Sequence, residues 1–403
     1  MNLYKIAAVI FVCFILCVCS CGCQNATQET DEPTPDTDLS LITPVSGIDG
    51  GEIAVINNSF YTIKSYSDAS ADILRYDLET LEIGKISSEP DLDIMGGAIA
   101  SAGDRLLVFK AGHVPYSDIY EGSSSVIYVL DTTGEVEAAI TLPAQQRFKS
   151  NSAVAFDGDD TVFLMLCLCE DGDSNPVCVQ DELCSIELTT GEISSLKTFS
   201  TDTDAVISGV CPDGIVLTTA DSGTQSQSVY IISDSGSAST EDISFDFLGS
   251  AYTYVSDGNG GYYYINRDED VLMFGSIYGG TKAVAEHLNI TEDAAYAPYI
   301  ASNVCSSHLA VDLDNSLTAV GIYVNLATGE IIKAPERGFS CRVVFEGENY
   351  VILDPGKDYI NTILDAESDE YGLEEGAAHY LAAPKDEFWQ GSAEYFAFNN
   401  SEE

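Results

Sequence analysis

The stretch VIYVLDTTGEVEAAITL (Val126–Leu142) reads as an apolar run, an acidic residue, a Thr-Gly-Glu turn and a second apolar run. It returns as LCSIELTTGEISSLKTF (Leu183–Phe199) and again as GIYVNLATGEIIKAP from Gly321. Looser copies are ILRYDLETLEIGKIS turning at Leu81, VYIISDSGSASTEDISF at Gly236 and VLMFGSIYGGTKAVAEHL near Gly279. Aligned on the turn, the copies are spaced 53, 57, 45, 43 and 50 residues apart. Alternating Val, Ile, Tyr and Leu before a short turn of Gly, Asp, Thr or Ser is a hairpin signal. Glycine suits a turn position that needs positive φ, where other residues are strained.

Outward from each hairpin lies a second strand pair, as in AIASAGD with RLLVFKAG, AVAFDGDD with TVFLMLCL, and TYVSDGNG with GYYYINR. The unit is therefore four strands in about 50 residues, the signature of a β-propeller blade. A lone four-stranded sheet cannot bury both faces; packed radially, each sheet covers its neighbour. Residues 41–403 accommodate seven such units, with six or eight as alternatives and a pair of β-sandwiches as the competing all-β fold. The seventh unit is expected from Cys341–Gly356, from His379–Pro384 and from an N-terminal strand near Leu39–Val45. Helical periodicity is nearly absent, its best candidate being Asp365–Glu375.

Residues 1–20 read as a lipoprotein signal peptide. Lys5 precedes a thirteen-residue apolar run, Ile6–Val18, which is short for a membrane span of about 20 residues. The run ends in V-C-S-C-G-C, which resembles a bacterial lipobox. Cys21 fits best as the lipid attachment point, with Val18 three residues before it and Ser20 just before it; Cys23 is the alternative. Residues 21–40 are polar and acidic, with Pro33 and Pro35, and read as a tether holding the body off a membrane. The expected location is the outer face of the bacterial cell membrane, with the lipid as the only membrane contact.

The chain carries 65 acidic and 16 basic residues, a formal charge of −49. Loss of the signal removes Lys5 and no acid, leaving 15 basic residues and a charge of −50. Such a surface repels nucleic acid and anionic lipid, so no nucleic-acid partner is expected. Beyond Cys23 there are seven cysteines, an odd number. In an oxidising exterior the cluster LCLCEDGDSNPVCVQDELC suggests a disulfide from Cys169 to Cys178 or Cys184. Its spacing does not match a zinc-ligand pattern.

Signals for chemistry are sparse. The four histidines, His113, His287, His308 and His379, are scattered, and neither H-E-x-x-H nor G-x-S-x-G occurs. GSIYGGTK (Gly275–Lys282) has its Lys and Thr in the wrong order for a phosphate loop and reads as a hairpin turn. Acidic loops offer weak calcium candidates: Asp157, Asp159 and Asp160; Asp171 and Asp173; Asp312 and Asp314. Calcium takes six to eight oxygens, yet D-G is also a favoured turn, so no cofactor is expected beyond calcium as an option. The run Tyr262–Tyr264 suits half-buried strand packing.

The repeats resemble those of secreted bacterial β-propellers, the TolB-like and quinoprotein-like groups, in which I-Y-x-[LI]-D-x-x-T-G-[EK] marks the outer hairpin. The resemblance covers most of the chain past residue 50. Quinoprotein blades carry a tryptophan, whereas the one Trp here, Trp389, lies outside the repeats, which argues against a quinone cofactor. The expected function is a non-enzymatic binding or scaffold module for an envelope or extracellular protein, peptide or glycan. The alternative is a propeller hydrolase or lyase acting on sugars or lactones through carboxylates, with calcium as an aid.

Overall fold

The computed structural model describes residues 39–43, 53–65, 71–86, 92, 94, 97–111, 124–149, 152–170, 177–221, 224–231, 239–243, 254–266, 270–288, 299–301, 307–312, 322–333, 342–354 and 380–400. All of them fall in one compact unit, Thr37–Glu403. After β1 (Ser40–Leu41), strands follow in sets of four. Blade 1 holds β2 (Ala54–Ile56), β3 (Ser59–Ser65), β4 (Ala71–Asp77) and β5 (Glu82–Ile86). Blade 2 holds β6 (Ala98–Ala102), β7 (Arg105–Lys110), β8 (Val126–Leu130) and β9 (Val136–Thr141). The short β10 (Gln146–Phe148) precedes blade 3, made of β11 (Ala155–Phe156), β12 (Thr161–Glu170), β13 (Val177–Glu187) and β14 (Ile193–Thr198).

Blade 4 comprises β15 (Thr203–Cys211), β16 (Gly214–Asp221), β17 (Thr224–Ile231) and β18 (Ser239–Ile243). Blade 5 comprises β19 (Tyr254–Ser256), β20 (Gly261–Asn266), β21 (Val271–Ser276) and β22 (Thr281–Glu286). Blade 6 is β23 (Tyr299–Ala301), β24 (His308–Asp312), β25 (Ile322–Asn325) and β26 (Ile331–Lys333). Blade 7 is β27 (Arg342–Glu346), β28 (Tyr350–Asp354), β29 (Leu381–Pro384) and β30 (Phe396–Ala397), with a helix, α1 (Lys385–Trp389), between its last two strands. Within every blade, neighbouring strands pair antiparallel in sequence order, which gives a seven-bladed β-propeller.

The period-2 pattern makes the ring. In β7, Leu107 and Phe109 enter the core shared with blade 3, while Leu106 and Val108 enter the core shared with blade 1. Because successive strand residues face opposite ways, each middle strand feeds two cores. Among the described residues seven such cores occur, one at every seam between consecutive blades. The seam that closes the ring is aromatic. Phe60 and Tyr76 of blade 1 stack at 4.3 Å, and Tyr380 and Phe398 of the blade 7 segment meet them edge to face.

Closure differs from the sequence expectation. The N-terminal strand does not complete blade 7: β1 pairs instead with β11, on the free edge of blade 3. There Ile42 donates its N–H to the Val154 carbonyl, and the buried Thr43 hydroxyl accepts from Val154 N–H. Blade 7 draws all four strands from the C-terminal part of the chain, and the tail continues as β31 (Asn399–Asn400), parallel to β5 of blade 1. A two-residue strand carries too little pattern to announce its partner, so placement fell to the packing of Leu39, Leu41 and Ile42 against the blade 3 cores. The best helical candidate, Asp365–Glu375, lies outside the described residues, as does the turn at Gly236. Among the described residues no helix is long and apolar enough to cross a membrane.

Candidate functional site

The repeated turns are built by their acidic or amide residue. Asp131 Oδ1 accepts N–H bonds from Thr133 and Glu135, and Gly134, at φ 95°, donates to the Asp131 carbonyl. Asn325 does the same for Ala327 and Thr328 ahead of Gly329. The D-G turn of blade 3 follows the same logic. Asp157 Oδ1 accepts from the N–H groups of Asp159, Asp160 and Thr161. Asp160 takes the Arg105 guanidinium at 2.6 Å and both the hydroxyl and the N–H of Thr189. Arg105 also reaches the Asp159 carbonyl at 2.7 Å.

The Asp160 carboxylate is taken up within the protein. A guanidinium already occupies the electrostatic position that a cation would take, and it ties β7 of blade 2 to blade 3. Burial works against the charged form of Asp160, but the bonds from Arg105 and Thr189 outweigh it and hold the carboxyl below its ordinary value. Asp312 ends β24 and pairs through its main chain with Tyr299. Asp171, Asp173 and Asp314 lie outside the described residues, as do Cys21, Cys23, His113 and His379.

Among the described residues, a set of reactive side chain types bridges blades 6 and 7, at a place the sequence did not single out. Ser307 Oγ lies 2.6 Å from Glu346 Oε1 and 2.7 Å from His308 Nδ1, and Asn325 Nδ2 lies 3.2 Å from His308 Nε2. Lys385 Nζ sits 2.9 Å from the same Glu346 oxygen. Trp389 stacks on the His308 ring at 3.7 Å, and its Nε1 is buried with no partner among the described residues. Hydrogen counting orders the chain. A carboxylate only accepts, so the one hydroxyl hydrogen of Ser307 goes to Glu346. His308 must then donate from Nδ1, which leaves Nε2 to accept from the Asn325 amide.

Neutral His308 satisfies every member of this chain, whereas a protonated ring would aim a second N–H at the Asn325 NH2. Burial, the largest influence, accordingly lowers the His308 pKa; Glu346 opposes the shift and Lys385 reinforces it. Burial pushes the Glu346 carboxyl upward, but the bonds from Ser307 and Lys385 outweigh it and hold it below its usual value. The set contains a serine, a histidine and a glutamate, yet their order is not that of a nucleophilic triad. There the serine gives its hydrogen to histidine and the acid holds the far nitrogen. Here serine gives its hydrogen to the acid.

Blade 3 gathers a second cluster. Lys149 Nζ donates to Asp181 at 2.8 Å and also to Asp204 of blade 4. Burial disfavours its charge, but these two carboxylates outweigh burial and raise its pKa. The disulfide in this region joins Cys167 to Cys178, with Cα atoms 5.7 Å apart, rather than Cys169 to Cys178 or Cys184. Cys169 is the register partner of Cys178, but the register shifts between Leu168 and Cys169. Such a bulge twists its strand, and it is Cys167 that presents its sulfur to Cys178. Cys184 points the other way, into the core between blades 2 and 3. Burial first, and Glu182 after it, push its thiol up to about 12. Of the tyrosine run, Tyr262 and Tyr264 are buried at the seam between blades 4 and 5 and Tyr263 packs at the next seam.

No protein-family model and no curated protein matches this chain. Among solved structures it is similar to a puromycin-hydrolyzing peptidase from Mycobacterium tuberculosis, with TM-score 0.52 and 9% identity over 90% of this chain. This chain spans 56% of that peptidase. It is also similar to the β-propeller domain of the trilobed protease from Pyrococcus furiosus, with TM-score 0.43 and 9% identity, over 90% of this chain and 99% of that domain. TolB from Acinetobacter baumannii matches with TM-score 0.32 and 11% identity, over 73% of this chain and 75% of its own. At such identities the likeness concerns fold alone. The seven four-stranded antiparallel sheets and the cores shared at their seams define the class: a seven-bladed β-propeller.

Proposed function

We propose that this propeller is an exported, lipid-anchored binding or scaffold module that presents a rigid body to an envelope or extracellular protein, peptide or glycan and performs no reaction on it. The observation that carries the reading is the direction of the hydrogen-bond chain between blades 6 and 7. Ser307, His308 and Glu346 are spent holding two blades together, and His308 Nε2 already has the Asn325 amide on it. The acidic turn of blade 3 is spent in the same way, on Arg105 and its own backbone. The strong negative charge supports a partner that is neutral or cationic at its contact face.

The test pairs two measurements on the full chain. Incubated with aminoacyl amides, lactones and uronide oligosaccharides, with and without calcium, the wild type is expected to release no product. Turnover that disappears in Ser307→Ala would establish the hydrolase alternative instead. Membrane fractionation of Cys21→Ala is expected to move the protein to the soluble fraction. Retention on the membrane would remove Cys21 as the attachment point.

A further inference from the structure

We propose that blade 3 carries a thiol–disulfide exchange site in which Cys178 bonds alternately to Cys167 and Cys169 and takes up small thiols from solution. Three sulfurs converge on one stretch of the β12–β13 pair. Cys178 is bonded to Cys167 but stands directly opposite Cys169 in register. The free Cys169 Sγ lies 3.8 Å from Cys167 Sγ. One cysteine is therefore shared between two candidates, and the unbonded one stays within van der Waals reach of the bond.

Exposure assigns the roles. Cys178 is exposed, Cys169 half-buried and Cys167 buried, so a thiol from solution meets Cys178 first. Asp181 places Oδ1 3.4 Å from Cys178 Sγ. A disulfide sulfur has no hydrogen to give, so this contact becomes a hydrogen bond only when Cys178 is a thiol. Asp181 is fixed in place by Lys149 and by the Ala205 N–H. The reduced form of Cys178 thus has a partner waiting. Burial raises the Cys169 pKa, with Arg147 and Lys149 pulling it down, so the step draws on a small thiolate fraction and is slow.

The chemistry balances without an oxidant or reductant. Cys169 thiolate attacks Cys178 Sγ; the Cys169–Cys178 bond forms as the Cys167–Cys178 bond breaks. The electron pair leaves on Cys167, which takes the proton that Cys169 gave up. A thiol from solution acts in the same way, forming a mixed disulfide at Cys178 and freeing Cys167. Attack by Cys167 or Cys169 then expels it.

The full chain is incubated with and without reduced glutathione, quenched in acid with N-ethylmaleimide, and mapped by tandem mass spectrometry. The expected result without glutathione is maleimide on Cys167 in some molecules and on Cys169 in others, and with glutathione an adduct at Cys178. Cys169→Ser should lose all Cys167 labelling in the absence of glutathione. Cys167→Ser, checked for folding by circular dichroism and treated with oxidised glutathione, should form the Cys169–Cys178 bond as the glutathione disulfide is reduced to two glutathione thiols. Maleimide on Cys169 but never on Cys167 in the wild type, with no glutathione at Cys178, would overturn the proposal, and that result does not depend on how either variant folds.

Discussion

Gly191 and Gly329 hold the same place in two copies of the repeat, at φ 72° and 73°, yet their surroundings differ. A Cβ on Gly191 would meet only Ile140 side chain atoms, the nearer at 3.6 Å, whereas one on Gly329 would lie 2.2 Å from the Val284 carbonyl oxygen of blade 5. Gly191→Ala should therefore cost about 1–2 kcal/mol for the left-handed backbone alone. Gly329→Ala should cost measurably more, because backbone of a neighbouring blade must move. Urea unfolding of the two variants checks the difference, and equal losses would contradict the packing at Gly329. The glycines were legible in the sequence because positive φ favours them. Leu81 was legible only as a position: it adopts φ 57° without glycine's freedom, and its side chain packs against the core between blades 7 and 1.

Between blades, the polar bridges set a pH dependence. The His308 pKa is lowered in the folded protein, so the unfolded chain binds more protons, and stability present above the ordinary histidine value of about 6.5 is lost below it. Asp160 and Glu346 are lowered too, so their contributions are present above the usual carboxylate range of about 4 and are lost only as pH falls below it. Melting temperature should thus fall between pH 7 and pH 5 in the wild type and fall less in His308→Gln. Identical slopes would remove His308 as the titrating group. Arg105→Gln, which leaves Asp160 without its charged partner across a seam, should cost about 1–3 kcal/mol, read by urea unfolding at neutral pH. None of this was legible beforehand. Ser307 and His308 are adjacent, but Glu346, Lys385 and Trp389 come from the next blade, and no local spacing brings them together. The disulfide was missed for a related reason: register in β12 places Cys169 opposite Cys178, and only the bulge hands the bond to Cys167.

At the scale of the whole molecule, the 43-to-57-residue recurrence of one hairpin was enough to read a propeller, because sheets that repeat must bury their faces on one another. Where the ring closes was not readable, since the closing elements are too short to carry a pattern. Phe398 of the tail packs edge to face on Phe60 and Tyr76 at the seam between blades 7 and 1. Phe398→Ala should cost about 3–5 kcal/mol, and a loss under about 1 kcal/mol, well below that range, would show that the tail does not seal the ring. The central claim is that seven shared cores make one closed, cooperative body. Trp389, the one tryptophan, reports from the seam between blades 6 and 7, while Leu217 is buried across the ring between blades 3 and 4. The most direct test is urea unfolding of Leu217→Ala followed by Trp389 fluorescence and by far-ultraviolet circular dichroism. A closed ring predicts that both signals shift together, by the same midpoint change, from a loss of about 2–5 kcal/mol; a Trp389 transition that stays at the wild-type midpoint while the dichroism moves would contradict it.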